Sequence, residues 1–369
     1  MTSCCQGKPG PPLPALRHLM NASFSSDYAR NWRAPEASLC IDAIDYHTGG
    51  EPTRIILNGF PVPAGSTILE RRQYCLQHYD QLRQALMFEP RGHADMYGCL
   101  LVPAQREDSD FGVLFMHNEG YSTMCGHATL ALIRFAYDSQ RFTSTDGIQQ
   151  IKIDAPCGQI LAYAELQQNR LVRSYFDNVA SYVYTDHAQL QLDHDRCIDF
   201  AIAYGGAYYA MVDADQLGLE LSANNAEQII KLGQRIKLAV QKQIPIQHPD
   251  PAAADLGFLY GTIFYSRQSV VHSKNVCVFA AAELDRSPTG SGVSAYAALL
   301  HQRGELNLQQ TITIESLIGS QFSVSLQAEQ NYYQLPAVLP RVEGSAHLCS
   351  RQQFYLEAQD PFPQGFLLR

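Results

Sequence analysis

Two short stretches of the chain, residues 130–136 and 295–300, are apolar around nearly the whole circumference that a helix would present. A helix of that kind has no wet face and must lie at the centre of something. The remaining hydrophobic positions fall in short β-rich runs punctuated by glycine, such as Ile55-Ile56-Leu57, Leu100-Leu101-Val102 and Ile263-Phe264-Tyr265. The pattern predicts mixed strands wrapped around two buried helices, an α+β architecture.

The punctuation repeats. Asp45-Tyr46-His47-Thr48-Gly49-Gly50-Glu51 ahead of Ile55 is matched by Ala203-Tyr204-Gly205-Gly206-Ala207 ahead of Tyr209, each expected as a strand with a bulge. Met96-Tyr97-Gly98 is matched by Leu259-Tyr260-Gly261. Met124-Cys125-Gly126-His127 is matched by Pro288-Thr289-Gly290-Ser291, each just before an apolar run. Three landmarks in the same order indicate an internal duplication, hence two pseudo-symmetric lobes with a cleft between them. The boundaries expected are an N-terminal tail over 1–37, a first lobe over 38–170 completed by 349–369, and a second lobe over 171–348.

Both third landmarks read as helix starts, where free N–H groups and the helix dipole make an anion site. Two such starts facing one another, Cys125-Gly126-His127 and Thr289-Gly290-Ser291, would hold a carboxylate and absorb charge developing on its α-carbon. The same field is expected to favour a thiolate at Cys125, making it a general base for α-proton removal. Of the 10 cysteines, the other nine read as small buried hydrophobes. His127 reads either as a substrate contact or as a structural histidine. Asp285 is spaced to meet a cationic nitrogen, or else to cap a helix or pair with Arg286.

Composition narrows the class. The net charge of −9 and the absence of a Lys/Arg stripe argue against nucleic acid, and no run suits a bilayer-spanning helix. With 46% hydrophobic and 17% charged residues the chain reads as globular and soluble. Scattered cysteines without CxxC pairs fit reduced thiols in the cytoplasm, with organelle targeting by the Pro/Ser/Ala-rich residues 1–36 left open. The Glu89-to-Asp95 stretch has no metal-ligand spacing and reads as a loop. Gly290-Ser291-Gly292 lacks the following Lys of a P-loop, so no nucleotide, metal or other cofactor is called for.

The Met124-to-His127 and Asp285-to-Gly292 motifs, with Asp45-to-Pro52 and His117-Asn118-Glu119-Gly120, resemble the proline racemase family over about residues 41–369. The resemblance implies a diaminopimelate epimerase-like fold and a homodimer. It implies substrate binding by Gly126, His127, Asp285, Gly290 and Ser291, with the amides on the carboxylate and Asp285 on the ring nitrogen. Racemases of that family carry a cysteine at each helix start, whereas this chain has Thr289 at the second. Cys125 paired with Thr289 is similar to the family's trans-3-hydroxy-L-proline dehydratases. In these, α-proton removal and loss of the 3-hydroxyl would give an enamine that tautomerises to 1-pyrroline-2-carboxylate. The alternatives are a hydroxyproline 2-epimerase or proline racemase with another second acid, and a catalytically silent paralogue that only binds proline.

Overall fold

In the computed structural model of the 369-residue chain, residues 32–34 and 38–368 are described, apart from 143, 194 and 270. The expected tail over 1–37 therefore lies almost wholly outside the described residues. From Leu39 onward the chain forms one compact unit.

The chain traces one sequence of pairings and then traces it again. The first run begins with the hairpin β1 (Leu39–Thr48) and β2 (Glu51–Asn58), followed by helices α1 (Ile68–His78) and α2 (Asp80–Met87). Strand β3 (Gly98–Val102) lies parallel to β2 and antiparallel to β4 (Phe111–Met116), which pairs in turn with β5 (Tyr121–Ser122). Helix α3 (Gly126–Asp138) follows, and then β6 (Gly147–Ala155), β7 (Gly158–Gln167) and β8 (Arg170–Asp177), with β6 parallel to β4.

After β9 (Tyr182–Asp193), the second run reproduces that order. The hairpin β10 (Arg196–Tyr204) and β11 (Tyr208–Asp213) leads into α4 (Ala226–Gln243), and β12 (Leu259–Ser269) lies parallel to β11. Strands β13 (His272–Phe279) and β14 (Glu283–Leu284) precede α5 (Gly290–Gln302). Strands β15 (Thr311–Glu315), β16 (Gln321–Tyr332) and β17 (Leu335–Glu343) close the run, with β15 parallel to β13.

Each run takes its last strand from elsewhere. Strand β18 (Ala346–Leu356) returns to pair with β1, just as β9 pairs with β10. A division at 170/171 falls at the head of β8, which is hydrogen-bonded to β7 and packed on α3. The change from one run to the other comes after Asp177. The last residues of β8 also pair with β17, joining the two runs into a continuous sheet system.

The two apolar stretches are helical and central. Every residue of α5 from Gly290 to Leu300 is buried, and so is α3 from Gly126 to Ile133. Helix α3 is wrapped by β1, β2, β7, β8 and β18, and α5 by β9, β10, β11, β16 and β17. Removing each large apolar side chain from water contributes about 1.5–3 kcal/mol, so these two helices anchor the fold.

The paired glycines are hairpin turns rather than bulges within a strand. Gly49 and Gly50 sit at φ +60° and +91°, which a two-residue turn between right-twisted strands requires and a side chain resists. The bulge in β1 lies earlier, between Asp45 and Tyr46. Among the described residues no helix is long and apolar enough to cross a membrane, and every cysteine is free.

Candidate active site

Helices α3 and α5 meet start to start. A Cβ built on Gly126 would lie 2.4 Å from the Gly290 Cα, and one on Gly290 would lie 2.6 Å from the Gly126 Cα. Glycine is needed at both positions so that the two sets of free N–H groups converge on one place. The cleft around them is lined by Cys125, Gly126, His127, Asp285, Thr289, Gly290 and Ser291, so the seven residues expected from sequence are gathered together. It holds only about 10 Å³, room for roughly one water.

Cys125 is the N-cap of α3, with extended backbone at φ −145°, and its sulfur accepts the Ala128 N–H at 3.3 Å. The thiol is buried, with His127 Nδ1 at 3.3 Å. The expected thiolate is not what this closed cleft favours. Burial drives the thiol well above its ordinary pKa, and the charge of Asp285 adds to the rise. The Ala128 N–H and the Tyr97 hydroxyl favour the anion but do not offset the burial. Burial moves His127 the other way, down to about 4, so its imidazole is neutral at pH 7.

Thr289 caps α5 in a different manner. Its backbone is left-handed at φ +67°, a strained state for a β-branched residue. The strain is held by the Thr289 N–H donating to Ser287 Oγ at 3.1 Å and the Thr289 hydroxyl donating to Asp285 Oδ2 at 2.7 Å. Asp285 also accepts the Ser287 N–H at 2.7 Å. It does not pair with Arg286, whose guanidinium goes instead to Glu51 at 3.0 Å and Asp95 at 3.5 Å. Asp285 is thus a buried carboxylate with hydrogen bonds but no cationic partner in the ion pairs of the described residues, an arrangement suited to an arriving cation.

The remaining motifs hold these helix starts in position. The Thr48 hydroxyl donates to the His127 carbonyl at 2.9 Å, and Glu51 accepts the Arg286 N–H at 2.8 Å. Asn118 donates its N–H to Glu283 at 2.5 Å and its amide to the Ala281 carbonyl at 3.1 Å, tying the first run to the second. The Glu89-to-Asp95 stretch is irregular, and among the described residues no group of three His, Cys, Asp or Glu is arranged to hold a metal ion.

Sequence reasoning did not assign Tyr97, Met124, Tyr209, Tyr260 and Phe279 to the site, although all line the cleft. The signal was present for two of them, because Tyr97-Gly98 and Tyr260-Gly261 form one of the repeated landmarks. The Tyr97 hydroxyl lies 2.6 Å from Ser122 Oγ, and that of Tyr209 lies 2.7 Å from Ser291 Oγ. The ring of Tyr97 meets the His127 imidazole edge to face at 4.6 Å.

Residues 43–367 match the proline racemase family. A trans-3-hydroxy-L-proline dehydratase from Colwellia psychrerythraea is 49% identical over 336 residues, covering 90% of this chain and 94% of that protein. The human protein of the same name is 41% identical over 339 residues, with 89% and 95% covered. A 3-hydroxyproline 2-epimerase from Burkholderia multivorans is 39% identical over 334 residues, with 90% and 99% covered. Among solved structures, a hydroxyproline epimerase from Agrobacterium vitis with bound trans-4-hydroxy-L-proline superimposes with a TM-score of 0.84. Its sequence is 26% identical, and 89% of this chain and 96% of that one are covered.

Proposed function

The chain belongs to the proline racemase family, and we propose that within it the protein is a trans-3-hydroxy-L-proline dehydratase acting through Cys125. The observation that carries the reading is the asymmetry of the two helix starts. A racemase needs a proton-exchanging group on each face of the α-carbon. Here one face offers a thiol, and the other a threonine whose hydroxyl is already donated to Asp285. An alcohol is a poor proton carrier at neutral pH, and this one is already committed as a hydrogen-bond donor to Asp285.

In this reading the substrate carboxylate lies between the amides of Gly126, His127, Gly290 and Ser291, and the ring ammonium faces Asp285. The cation supplies the charge that the closed cleft lacks. It offsets Asp285, whose field opposes the Cys125 thiolate, and so favours the thiolate when the α-proton must be taken. The pair of electrons left on the α-carbon is shared with the carboxylate, which the two helix dipoles stabilise. Loss of the 3-hydroxyl then gives the enamine, which tautomerises to the cyclic imine.

Incubation with trans-3-hydroxy-L-proline and trapping of the imine with o-aminobenzaldehyde tests the proposal. Wild type should form imine and Cys125→Ser should not, with unchanged circular dichroism. Turnover retained by the variant would remove Cys125 from the mechanism. The second reading, a 2-epimerase, rests on the Burkholderia relative and predicts α-deuterium in recovered substrate in D2O without loss of water. Assembly as a homodimer in the cytoplasm is part of the proposal and is open to sedimentation and fractionation.

A further inference from the structure

Protonation of the departing hydroxyl needs a donor, and its side of the ring is set by the substrate. In trans-3-hydroxy-L-proline the hydroxyl lies across the ring from the carboxylate, and therefore on the same face as the α-hydrogen. The group that protonates it must stand on the side of Cys125. Thr289, which caps the opposite helix, is on the wrong face, and its proton is already given to Asp285 at 2.7 Å. The buried, neutral imidazole of His127 is not a cationic acid at pH 7.

The hydroxyls that line the cleft have one exception to their mutual satisfaction. Tyr97 is engaged by Ser122, and Tyr209 by Ser291. The hydroxyl of Tyr260 is fully buried and, although the Tyr97 hydroxyl lies near enough to influence its ionisation, it makes no close hydrogen bond among the described residues. Tyr260 is 4% exposed, and a buried hydroxyl left without a full hydrogen bond is costly unless something that comes and goes completes it. It occupies the place in the second run that Tyr97 occupies in the first. Gly261, where a Cβ would strike the Val278 carbonyl at 2.6 Å, brings its strand close against β13. Its ring is held by Phe279 at 5.3 Å and His117 at 5.5 Å, and Cys125 is close enough to influence its ionisation.

We propose that Tyr260 is a catalytic residue of the dehydration, its hydroxyl hydrogen-bonding the substrate 3-hydroxyl and giving it the proton with which it leaves as water. The inference rests on the dehydratase reading. Cys125 first takes the α-proton, and the electron pair of that C–H bond remains on the α-carbon and its carboxylate. The pair then forms the Cα–Cβ double bond as the C3–O bond breaks. The leaving oxygen carries off the Tyr260 proton as water. The tyrosinate regains a proton from the Cys125 thiol, so that the enzyme returns to its starting state and no outside reagent is consumed.

Tyr260→Phe removes one oxygen and keeps the packing. Dehydration and α-deuterium exchange into recovered substrate are measured together in D2O, for wild type and variant. General-acid loss should lower kcat for imine formation about 10²-fold, with KM little changed, while the ratio of exchange to dehydration rises because the carbanion returns to substrate. Imine formation at the wild-type rate overturns the role and leaves the Cys125 thiol itself as donor. An equal fall in exchange and dehydration also overturns it, since a merely structural tyrosine would disturb both steps alike. Absence of imine from the wild type is a different result: it sinks the dehydratase reading, and this inference with it.

Discussion

Replacing Gly126 by alanine separates two opposite expectations. At the first turn of an ordinary helix the change would be neutral or favourable, because alanine loses less backbone entropy than glycine by about 0.5–1 kcal/mol. Here the added methyl lands 2.4 Å from the Gly290 Cα and 3.0 Å from both the Gly290 carbonyl carbon and Phe176 Cζ. Two of these atoms are backbone and cannot swing aside. Carbon atoms rest at about 3.5 Å or more, so the 2.4 Å approach forces the helix starts to part by about 1 Å. Overpacking of this kind costs about 1–3 kcal/mol, which exceeds the gain in helix propensity. Displacement of a reacting group by about 1 Å costs on the order of 10²-fold in rate. The expected result is a melting temperature lowered by a few degrees and kcat/KM for imine formation reduced about 10²-fold. Thermal denaturation followed by circular dichroism and the o-aminobenzaldehyde assay measure the two effects. A variant that melts higher than wild type and turns over normally would show that the helix starts do not close on one another, and the site geometry would have to be redrawn.

Two further expectations follow from the same site. Thr289→Cys should add α-proton exchange and formation of the 2-epimer, because a thiol would then face the α-carbon from both helix starts; NMR of recovered substrate in D2O reads this, and silence in a folded variant would contradict the opposed arrangement. Because burial raises the Cys125 thiol in the free enzyme, its active thiolate is scarce at low pH, so kcat/KM should climb about tenfold per unit between pH 6 and 8; a plateau already reached at pH 6 would mean that the free enzyme holds a preformed thiolate.

The sequence was informative wherever one residue type has one physical reason to be present. A nearly continuous apolar circumference over 130–136, broken by Arg134, and over 295–300 specified buried helices, because few other settings hide so many faces. Cys125-Gly126 and Thr289-Gly290 marked the starts of those helices, and their matched positions pointed to a shared cleft. The replacement of a second thiol by Thr289 was legible as a single letter, and it carries most of the argument for elimination over racemisation.

Tertiary structure decided what depends on distance and burial. Whether Gly49-Gly50 turns a hairpin or bulges a strand rests on φ values and on the strand that returns, neither of which the letters state. The ionisation of Cys125 depends on more than the helix field, a local property visible in sequence, because desolvation depends on everything packed around the sulfur. Asp285 could be placed near Thr289 from spacing, but only the fold shows that Arg286 turns away to Glu51 and leaves the carboxylate without an ion pair among the described residues. The orphaned hydroxyl of Tyr260 is knowable only after the partners of Tyr97 and Tyr209 have been found. Sequence fixes which groups are present, and a three-dimensional fold alone determines which of them remain unsatisfied.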